Sequence, residues 1–359
     1  MSGAPLATAA RRPDAGTPLP KREPVMRLPV LLLEVQSRCN CRCAMCDIWK
    51  VTTSREIATE DLAGWLPEWK RLGVLNVVLT GGEPLMHSDL PGLCRVLKEA
   101  GVAVTVLTSG ILLSRKASLL APLVDEVIVS LDGPRDVHDA IRGVPGGFDR
   151  IGEGVAALAA ARPALPVSGR CTVQKANFRH LPDTVAAARA LGLCRISFLP
   201  VDAASDAFNR PGGQGETPAS ALALSRDEVA ELSRVLGALA REHAADFSAG
   251  FIEESPPKLA ERILGHFAAL AGPASFPPSR CNAPWVSAVL QTDGMVRPCF
   301  FHPPYGRIEP GGSLEALVNS PDAHAFREAL DVATNPVCVR CVCRLNLGEA
   351  SPAKAEAPR

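Results

Sequence analysis

The 359 residues carry 38 Lys+Arg against 38 Asp+Glu, a formal net charge of zero, with 47% hydrophobic and 21% charged residues. This balance excludes a disordered chain and offers no basic footprint for nucleic acid or an anionic membrane, and 4% aromatics with a single Tyr gives no base-stacking platform. The longest apolar run near the N-terminus, 28–35, is interrupted by Pro29 and Glu34 and is too short to span a bilayer. Neither a nucleic acid nor a membrane is expected as a partner.

Residues 1–27 are rich in Pro, Ala and Arg and lack an apolar signal segment. They read as a disordered leader, with a transit peptide as the alternative. Without an export signal the expected location is cytoplasmic, where thiols stay reduced. The twelve cysteines are then metal ligands or buried thiols rather than disulfides.

From 28 to 200, short β-rich runs (30–35, 74–79, 102–108, 126–131, 167–173 and 195–199) alternate with helical patterns at 59–72, 90–100, 115–123, 148–161 and 181–191. Asp61, Asp89 and Ser114 stand near helix starts, and Gly73, Gly101 and Gly192 where helices should stop. The expected fold class is α/β: a partial (β/α)6 TIM-like barrel, parallel and right-handed, with its chemistry on the loops that follow the strands. Residues 201–275 read as a loop and helical linker. Its 201–223 part is rich in Ala, Ser, Gly and Pro and is either a lid or a plain connection, and helices are expected at 226–243 and 258–270. From 276 to 347 a different unit is expected: a hairpin (286–291, a turn at Thr292-Asp293-Gly294, 296–301), a helix over 314–330, and a Cys-rich end. Residues 348–359 read as a tail.

Directly after the first strand stands Cys39-Asn40-Cys41-Arg42-Cys43-Ala44-Met45-Cys46-Asp47-Ile48-Trp49. Cys39, Cys43 and Cys46 give C-x3-C-x2-C. Three thiolates on one loop hold three irons of a [4Fe–4S] cube and leave the fourth iron open, as catalysis requires. A zinc loop is the alternative, but zinc needs a fourth ligand and none is close in sequence.

With this loop, Thr80-Gly81-Gly82-Glu83-Pro84 after the second strand, Thr108-Ser109-Gly110 after the third, and Ser130-Leu131-Asp132-Gly133 followed by His138 and Ile141-Arg142-Gly143 after the fourth, the chain resembles the radical S-adenosylmethionine (SAM) superfamily over roughly residues 30–200. The resemblance implies a SAM-cleaving [4Fe–4S] cluster on Cys39, Cys43 and Cys46, its open iron chelated by the methionine part of SAM. It implies cofactor contacts from Met45 (adenine), Gly81 and Gly82 (close backbone approach), Glu83 (the amino group), Ser130 and Asp132 (ribose) and Arg142 (the carboxylate), with Pro84, Thr108 and Ser109 also in the cofactor-binding set. Two departures stand out. Cys41 occupies a position that is often apolar in the family and is expected to pack as a small hydrophobe, and Ser109 replaces the usual Asn. Met45 has a second reading, as a residue that anchors the loop in the core.

Towards the C-terminus, Cys281 and Cys299 flank the hairpin as C-x12-G-x4-C, followed by Cys338-x2-Cys341 and Cys343. This resembles the twitch domain, a short relative of the SPASM domain, and implies one auxiliary [4Fe–4S] cluster on Cys281, Cys299, Cys338 and Cys341. Cys343 in place of Cys341, and a four-Cys zinc site, remain open alternatives. Cys94, Cys171 and Cys194 fall in predicted helix or strand and read as core residues. Tyr305, His302 and Cys343 are candidate catalytic residues, with packing of the appendage as the alternative for the first two, and Arg170 and Thr172 are candidate contacts on the fifth strand.

The implied activity is reductive cleavage of SAM to a 5'-deoxyadenosyl radical that abstracts hydrogen from a substrate. The auxiliary cluster would serve electron transfer, and a flavodoxin- or ferredoxin-type protein would be the electron donor. The expected substrate is a small biosynthetic molecule undergoing oxidation or rearrangement. The alternative is a ribosomal peptide or protein side chain, made less expected by a barrel that starts near residue 29 and leaves no room for a recognition module before it.

Overall fold

The computed structural model describes residues 23–213, 215–309 and 311–348. Six parallel strands, β1 (Val30–Gln36), β2 (Asn76–Gly81), β3 (Ala103–Thr108), β4 (Glu126–Ser130), β5 (Val167–Val173) and β6 (Ile196–Pro200), lie side by side in chain order. Helices α1 (Thr59–Arg71), α2 (Leu90–Glu99), α3 (Leu113–Leu120), α4 (Arg135–Arg142), α5 (Gly147–Ala161) and α6 (Leu181–Ala190) fill the connections. The strands are short apolar runs because helices cover the sheet: Leu31, Leu33, Val77, Leu79, Val104, Val106, Val127 and Val129 have no exposed surface. This is the expected partial barrel.

The C-terminal unit joins that sheet rather than standing apart from it. Strand β7 (Ser287–Leu290) pairs in parallel with β1, from Val30 against Ser287 to Leu33 against Leu290, and β8 (Met295–Arg297) and β9 (Gly306–Arg307) follow antiparallel. All four residues of β7 are buried, and the apolar β1 needs a neighbour on both edges. The result is one nine-stranded sheet, β6-β5-β4-β3-β2-β1-β7-β8-β9.

Several boundaries move for identifiable reasons. Strand β2 begins at Asn76 rather than 74, because Val74 is spent closing α1: its N–H donates to the Trp69 carbonyl at 2.9 Å, with Gly73 at φ +65°. Ser114 caps nothing; α3 starts at Leu113 with no side-chain cap. Asp89 does cap α2, accepting from the Gly92 N–H at 3.0 Å. The expected helix over 314–330 is two, α8 (Leu314–Val318) and α9 (Pro321–Ala329), after α7 (Arg226–Glu242) and before α10 (Pro336–Arg340). Pro321 cannot continue the first helix, and Ser320 caps the second through the Ala323 N–H at 3.2 Å. The expected hairpin strand over 286–291 gives its first residue to a helical turn, Ala283–Val286. Helix α4 was not separated out in the sequence, since only His138 and Ile141 of its eight residues are buried.

Of the leader expected over 1–27, residues 1–22 lie outside the described residues, as does most of the expected tail. Val25, however, is buried and tied to the end of α8: its N–H donates to Asn319 Oδ1 at 2.7 Å and its carbonyl accepts from Asn319 Nδ2 at 3.1 Å. The folded part therefore starts before residue 28. Among the described residues no helix is long and apolar enough to cross a membrane. Replacing Asn319 by Ala removes both bonds; we expect a loss of about 1–2 kcal/mol of unfolding free energy and faster hydrogen exchange at the Val25 amide, read by denaturant titration and mass spectrometry.

Candidate active site and cysteine centres

The cysteine loop that follows β1 is sewn to two neighbours. On one side the turn after β2 crosses it: the Gly82 N–H donates to the Gln36 carbonyl at 2.7 Å and the Glu83 N–H to the Arg38 carbonyl at 2.9 Å. The approach leaves no room for a side chain, since a Cβ on Gly81 would stand 2.5 Å from the Gln36 carbonyl oxygen and one on Gly82 2.1 Å from that of Arg38. On the other side the end of α4 holds it, with Arg42 N–H on the Arg142 carbonyl and Ala44 N–H on that of Ile141, both at 2.9 Å. The glycine pair thus answers first to the chain's own loop.

Cys43 lies against a buried ion pair. Arg142 Nη1 is 3.6 Å from the Cys43 Sγ, and Arg142 Nε is 2.6 Å from Oδ2 of the fully buried Asp132. Asp132 Oδ1 accepts the Thr172 N–H at 2.8 Å. The Cys43 thiol is held down to about 6, first by its hydrogen bond with Cys41 and then by the Arg142 charge, against the opposing effect of burial. Cys39 is also lowered, again first by Cys41. Cys41 is almost fully buried, as expected of a packing residue, but it hydrogen-bonds with both neighbouring thiols and its own value is driven far up. Burial pushes Cys46 up to about 12. A loop that brings three thiols together and favours thiolate at two of them fits an iron–sulfur cluster held by Cys39, Cys43 and Cys46.

The side chains expected on SAM are gathered around this loop, with partners of their own. Glu83, 1% exposed, accepts from Leu85 N–H (3.0 Å) and Thr108 Oγ1 (2.6 Å) at Oε1, and from Ser109 N–H (2.8 Å) and Ser109 Oγ (2.5 Å) at Oε2. Ser109 in place of Asn therefore keeps a short bond to the turn. Pro84 is buried behind Glu83, and Ser130 is half-buried at the end of β4. Met45 is buried, with Gln174 Nε2 3.8 Å from its sulfur. Asp132 and Arg142, expected on different parts of SAM, are paired with each other. His138 faces Asp132 from below: its Nδ1 is 3.2 Å from the Asp132 N–H, and burial lowers it to about 4, so the ring is neutral and accepts there.

A strap that the sequence left open as lid or linker covers the loop. The Phe208 carbonyl accepts the Asp47 N–H at 2.9 Å and stands 3.9 Å from the Cys46 Sγ, while Asn209 Nδ2 donates to the Asp47 carbonyl at 2.9 Å. Both residues adopt left-handed backbone, φ +60° and +59°. Arg210, 2% exposed, spans from the Met45 carbonyl (3.3 Å) to that of Thr217 (3.0 Å), and the Glu216 N–H donates to Asp47 Oδ2 at 2.8 Å. The Phe208 ring meets those of Phe300 (6.4 Å) and Phe301 (6.2 Å), next to Cys299. Asp47, Gln174, Asn177, Phe208 and Arg210 went unnoticed in the sequence. Their one signal was Asp47 inside the Cys motif; Gln174, Phe208 and Arg210 act through contacts more than 100 residues apart, and Asn177 through its Nδ2–H donated to the Asp132 carbonyl 45 residues away.

In the C-terminal unit Cys281, Cys299, Cys338, Cys341 and Cys343 line a single cavity with Phe301 and His302. Burial raises Cys299 to about 11 and Cys338 to about 12, and raises Cys281, Cys341 and Cys343 as well. Five thiols around one cavity fit a cluster that takes four, and both Cys341 and Cys343 reach it. Among the described residues no three His, Cys, Asp or Glu side chains are drawn up as ligands of a single ion. His302 is buried with Nε2 3.2 Å from the Cys338 Sγ. Tyr305 packs edge-on against Phe326, ring centres 5.8 Å apart, and burial raises it to about 12. Cys94 and Cys171 are core residues as expected, whereas Cys194 is exposed at the turn before β6. Arg170 and Thr172 are both half-buried on β5.

Two tests follow from this geometry. Gly82→Ala drives a Cβ into the Arg38 carbonyl, and iron held by the N-terminal loop is expected to fall severalfold while iron at the C-terminal cysteines is retained, read by Mössbauer spectroscopy and metal analysis. The depressed His138 makes folding acid-sensitive. The unfolded chain protonates at 6.5 and the folded one only near 4, so stability is complete above about 6.5 and is lost as pH falls towards 4. The expected loss is up to about 3 kcal/mol, seen as a shallower pH dependence of unfolding in His138→Gln.

Residues 33–188 match the model of the radical SAM superfamily, and residues 281–342 match that of an iron–sulfur cluster-binding domain, SPASM. Curated relatives include an Fe-coproporphyrin III synthase from Methanosarcina barkeri, 30% identical over 43% of this chain and 39% of the relative, and a PqqA peptide cyclase from Ruegeria pomeroyi, 35% identical over 48% of each. The chain spans about half or less of the length of these relatives. In fold it is similar to SuiB of Streptococcus suis bound to S-adenosylmethionine, with TM-score 0.62 and 15% identity over 90% of this chain and 74% of that one. It is likewise similar to anSMEcpe with bound AdoMet and a Cp18Cys peptide, with TM-score 0.61 and 17% identity over 90% and 91%. The chain carries a radical SAM domain over residues 33–188 and a SPASM iron–sulfur cluster-binding domain over residues 281–342.

Proposed function

We propose that this protein is a radical SAM enzyme, with a SAM-binding [4Fe–4S] cluster on Cys39, Cys43 and Cys46 and one auxiliary [4Fe–4S] cluster on Cys281, Cys299, Cys338 and either Cys341 or Cys343. The observation that carries the reading is the C-x3-C-x2-C loop at the carboxyl end of a parallel sheet, with Arg142 Nη1 3.6 Å from the Cys43 Sγ and the turn after β2 bonded against it. When bound, the cluster and SAM supply one-electron reductive cleavage and hydrogen abstraction from the substrate; the chain supplies placement and dryness.

Arg142 stabilises the thiolate form of Cys43, and Asp132 holds that guanidinium in place from below. Glu83 locks the turn after β2 against the Cys loop through Thr108 and Ser109. Phe208 of the strap lies against Cys46, and Asn209 and Glu216 bond to Asp47, holding that side of the loop. With Phe208 reaching Phe300 and Phe301 beside Cys299, the two cysteine centres face a common region. A substrate held there would be within reach of both, which suits an oxidation whose electron leaves through the auxiliary cluster. A one-electron carrier protein of the flavodoxin or ferredoxin type would supply the reducing electron.

The substrate is proposed in two classes. A small biosynthetic molecule is the first reading, supported by similarity to the coproporphyrin synthase. A ribosomal peptide is the second, supported by the 35% identity to a PqqA peptide cyclase. Anaerobic reconstitution is expected to give about eight irons with matching sulfide and 5'-deoxyadenosine on reduction with SAM. In Cys43→Ala we expect about four irons and no 5'-deoxyadenosine. Zinc at the C-terminal cysteines, or no SAM binding by the loaded protein, would refute the corresponding half of the proposal.

A further inference from the structure

The buried His302 is used by nothing described so far. It follows Cys299 by three residues, is 5% exposed, and its ring stands edge-on to Phe326 with centres 5.0 Å apart, so its orientation is fixed by packing. Its Nε2 lies 3.2 Å from the Cys338 Sγ, within range for a nitrogen–sulfur hydrogen bond. Its own carbonyl accepts from Arg297 Nη1 at 3.1 Å, which anchors the backbone that carries it.

We propose that His302 is a positioning residue of the auxiliary centre: its Nε2–H donates to the Cys338 thiolate and sets the reduction potential of the cluster held there. The inference rests on the cluster reading given above. The direction of the bond follows from proton bookkeeping. A cysteine ligated to iron has no proton, so the contact is favourable only with hydrogen on Nε2, and a neutral imidazole then keeps Nδ1 as acceptor. A hydrogen bond to a ligand sulfur draws charge off the cluster and stabilises its reduced, more negative form, which raises the potential. The same donor orients Cys338 towards the cavity that it lines with Cys281, Cys299, Cys341 and Cys343. For a centre that accepts an electron, that is the useful direction.

The test is an EPR-monitored redox titration of the reconstituted full chain, with the N-terminal cluster silenced by Cys43→Ala. His302→Phe keeps an aromatic ring against Phe326 and removes the donor; His302→Gln keeps an N–H donor. We expect the auxiliary potential to move lower in His302→Phe and to stay closer to the wild-type value in His302→Gln. Equal potentials in all three proteins would overturn the proposal. A second measurement needs no variant at this position: with 15N-imidazole-labelled histidine, a weak nitrogen coupling on the auxiliary EPR signal is expected. A strong coupling would make His302 an iron ligand, and no coupling would place it away from the cluster; either overturns the proposal. Iron analysis separates the two levels: four auxiliary irons with an unchanged potential refute only the hydrogen bond, whereas zinc or no metal there refutes the cluster reading itself.

Discussion

Arg142 stands between a fully buried carboxylate and a cysteine sulfur, and much of the barrel mouth is arranged around that placement. A guanidinium taken out of water is costly unless it is paired, and Asp132 at 2.6 Å pairs it. Asp132 in turn is fixed by the Thr172 N–H from β5, and its own N–H by His138 from α4. Asn177 adds a third tie, donating to the Asp132 carbonyl at 2.9 Å. The charge offered to Cys43 therefore rests on β4, β5 and α4 at once. Removal of one partner would leave the other charge buried and alone, at a cost of about 3–5 kcal/mol.

The Cys loop has little regular structure of its own and borrows its shape. Two glycines let the turn after β2 pass within bonding distance, the end of α4 offers two carbonyls, and on the remaining side Arg210 bonds to the Met45 carbonyl and the Glu216 N–H to Asp47. A loop held from three directions has its backbone fixed by bonds from the rest of the chain. That is the preorganisation a ligand set needs.

The auxiliary unit is coupled to the barrel in two ways. β7 extends the sheet from the free edge of β1, so the cysteines at 281 and 299 are carried by the same sheet whose first strand leads into the N-terminal Cys loop. Phe208 then joins the two centres through its carbonyl on one side and its ring on the other. Relative placement of the centres is thus set by backbone pairing and aromatic packing rather than by a flexible linker.

Much of the fold and the cysteine sets were legible because local patterns carry them. Apolar runs of strand length, helix-period stretches with Asp89 and Gly101 at their ends, and C-x3-C-x2-C are short-range signals that need no knowledge of distant contacts. The sequence by itself determined a parallel α/β barrel, its chemistry at the strand ends, and two groups of clustered thiols. Only the tertiary structure decided that Asp132 and Arg142 pair with each other, that Glu83 is fully engaged by Thr108 and Ser109, that β7 docks on β1, and that Phe208 straps over Cys46. The division has a physical cause. Strand and helix preferences and a one-loop ligand spacing are set within a few residues, whereas the partner of a buried charge or the neighbour of a strand edge depends on which distant segments pack there.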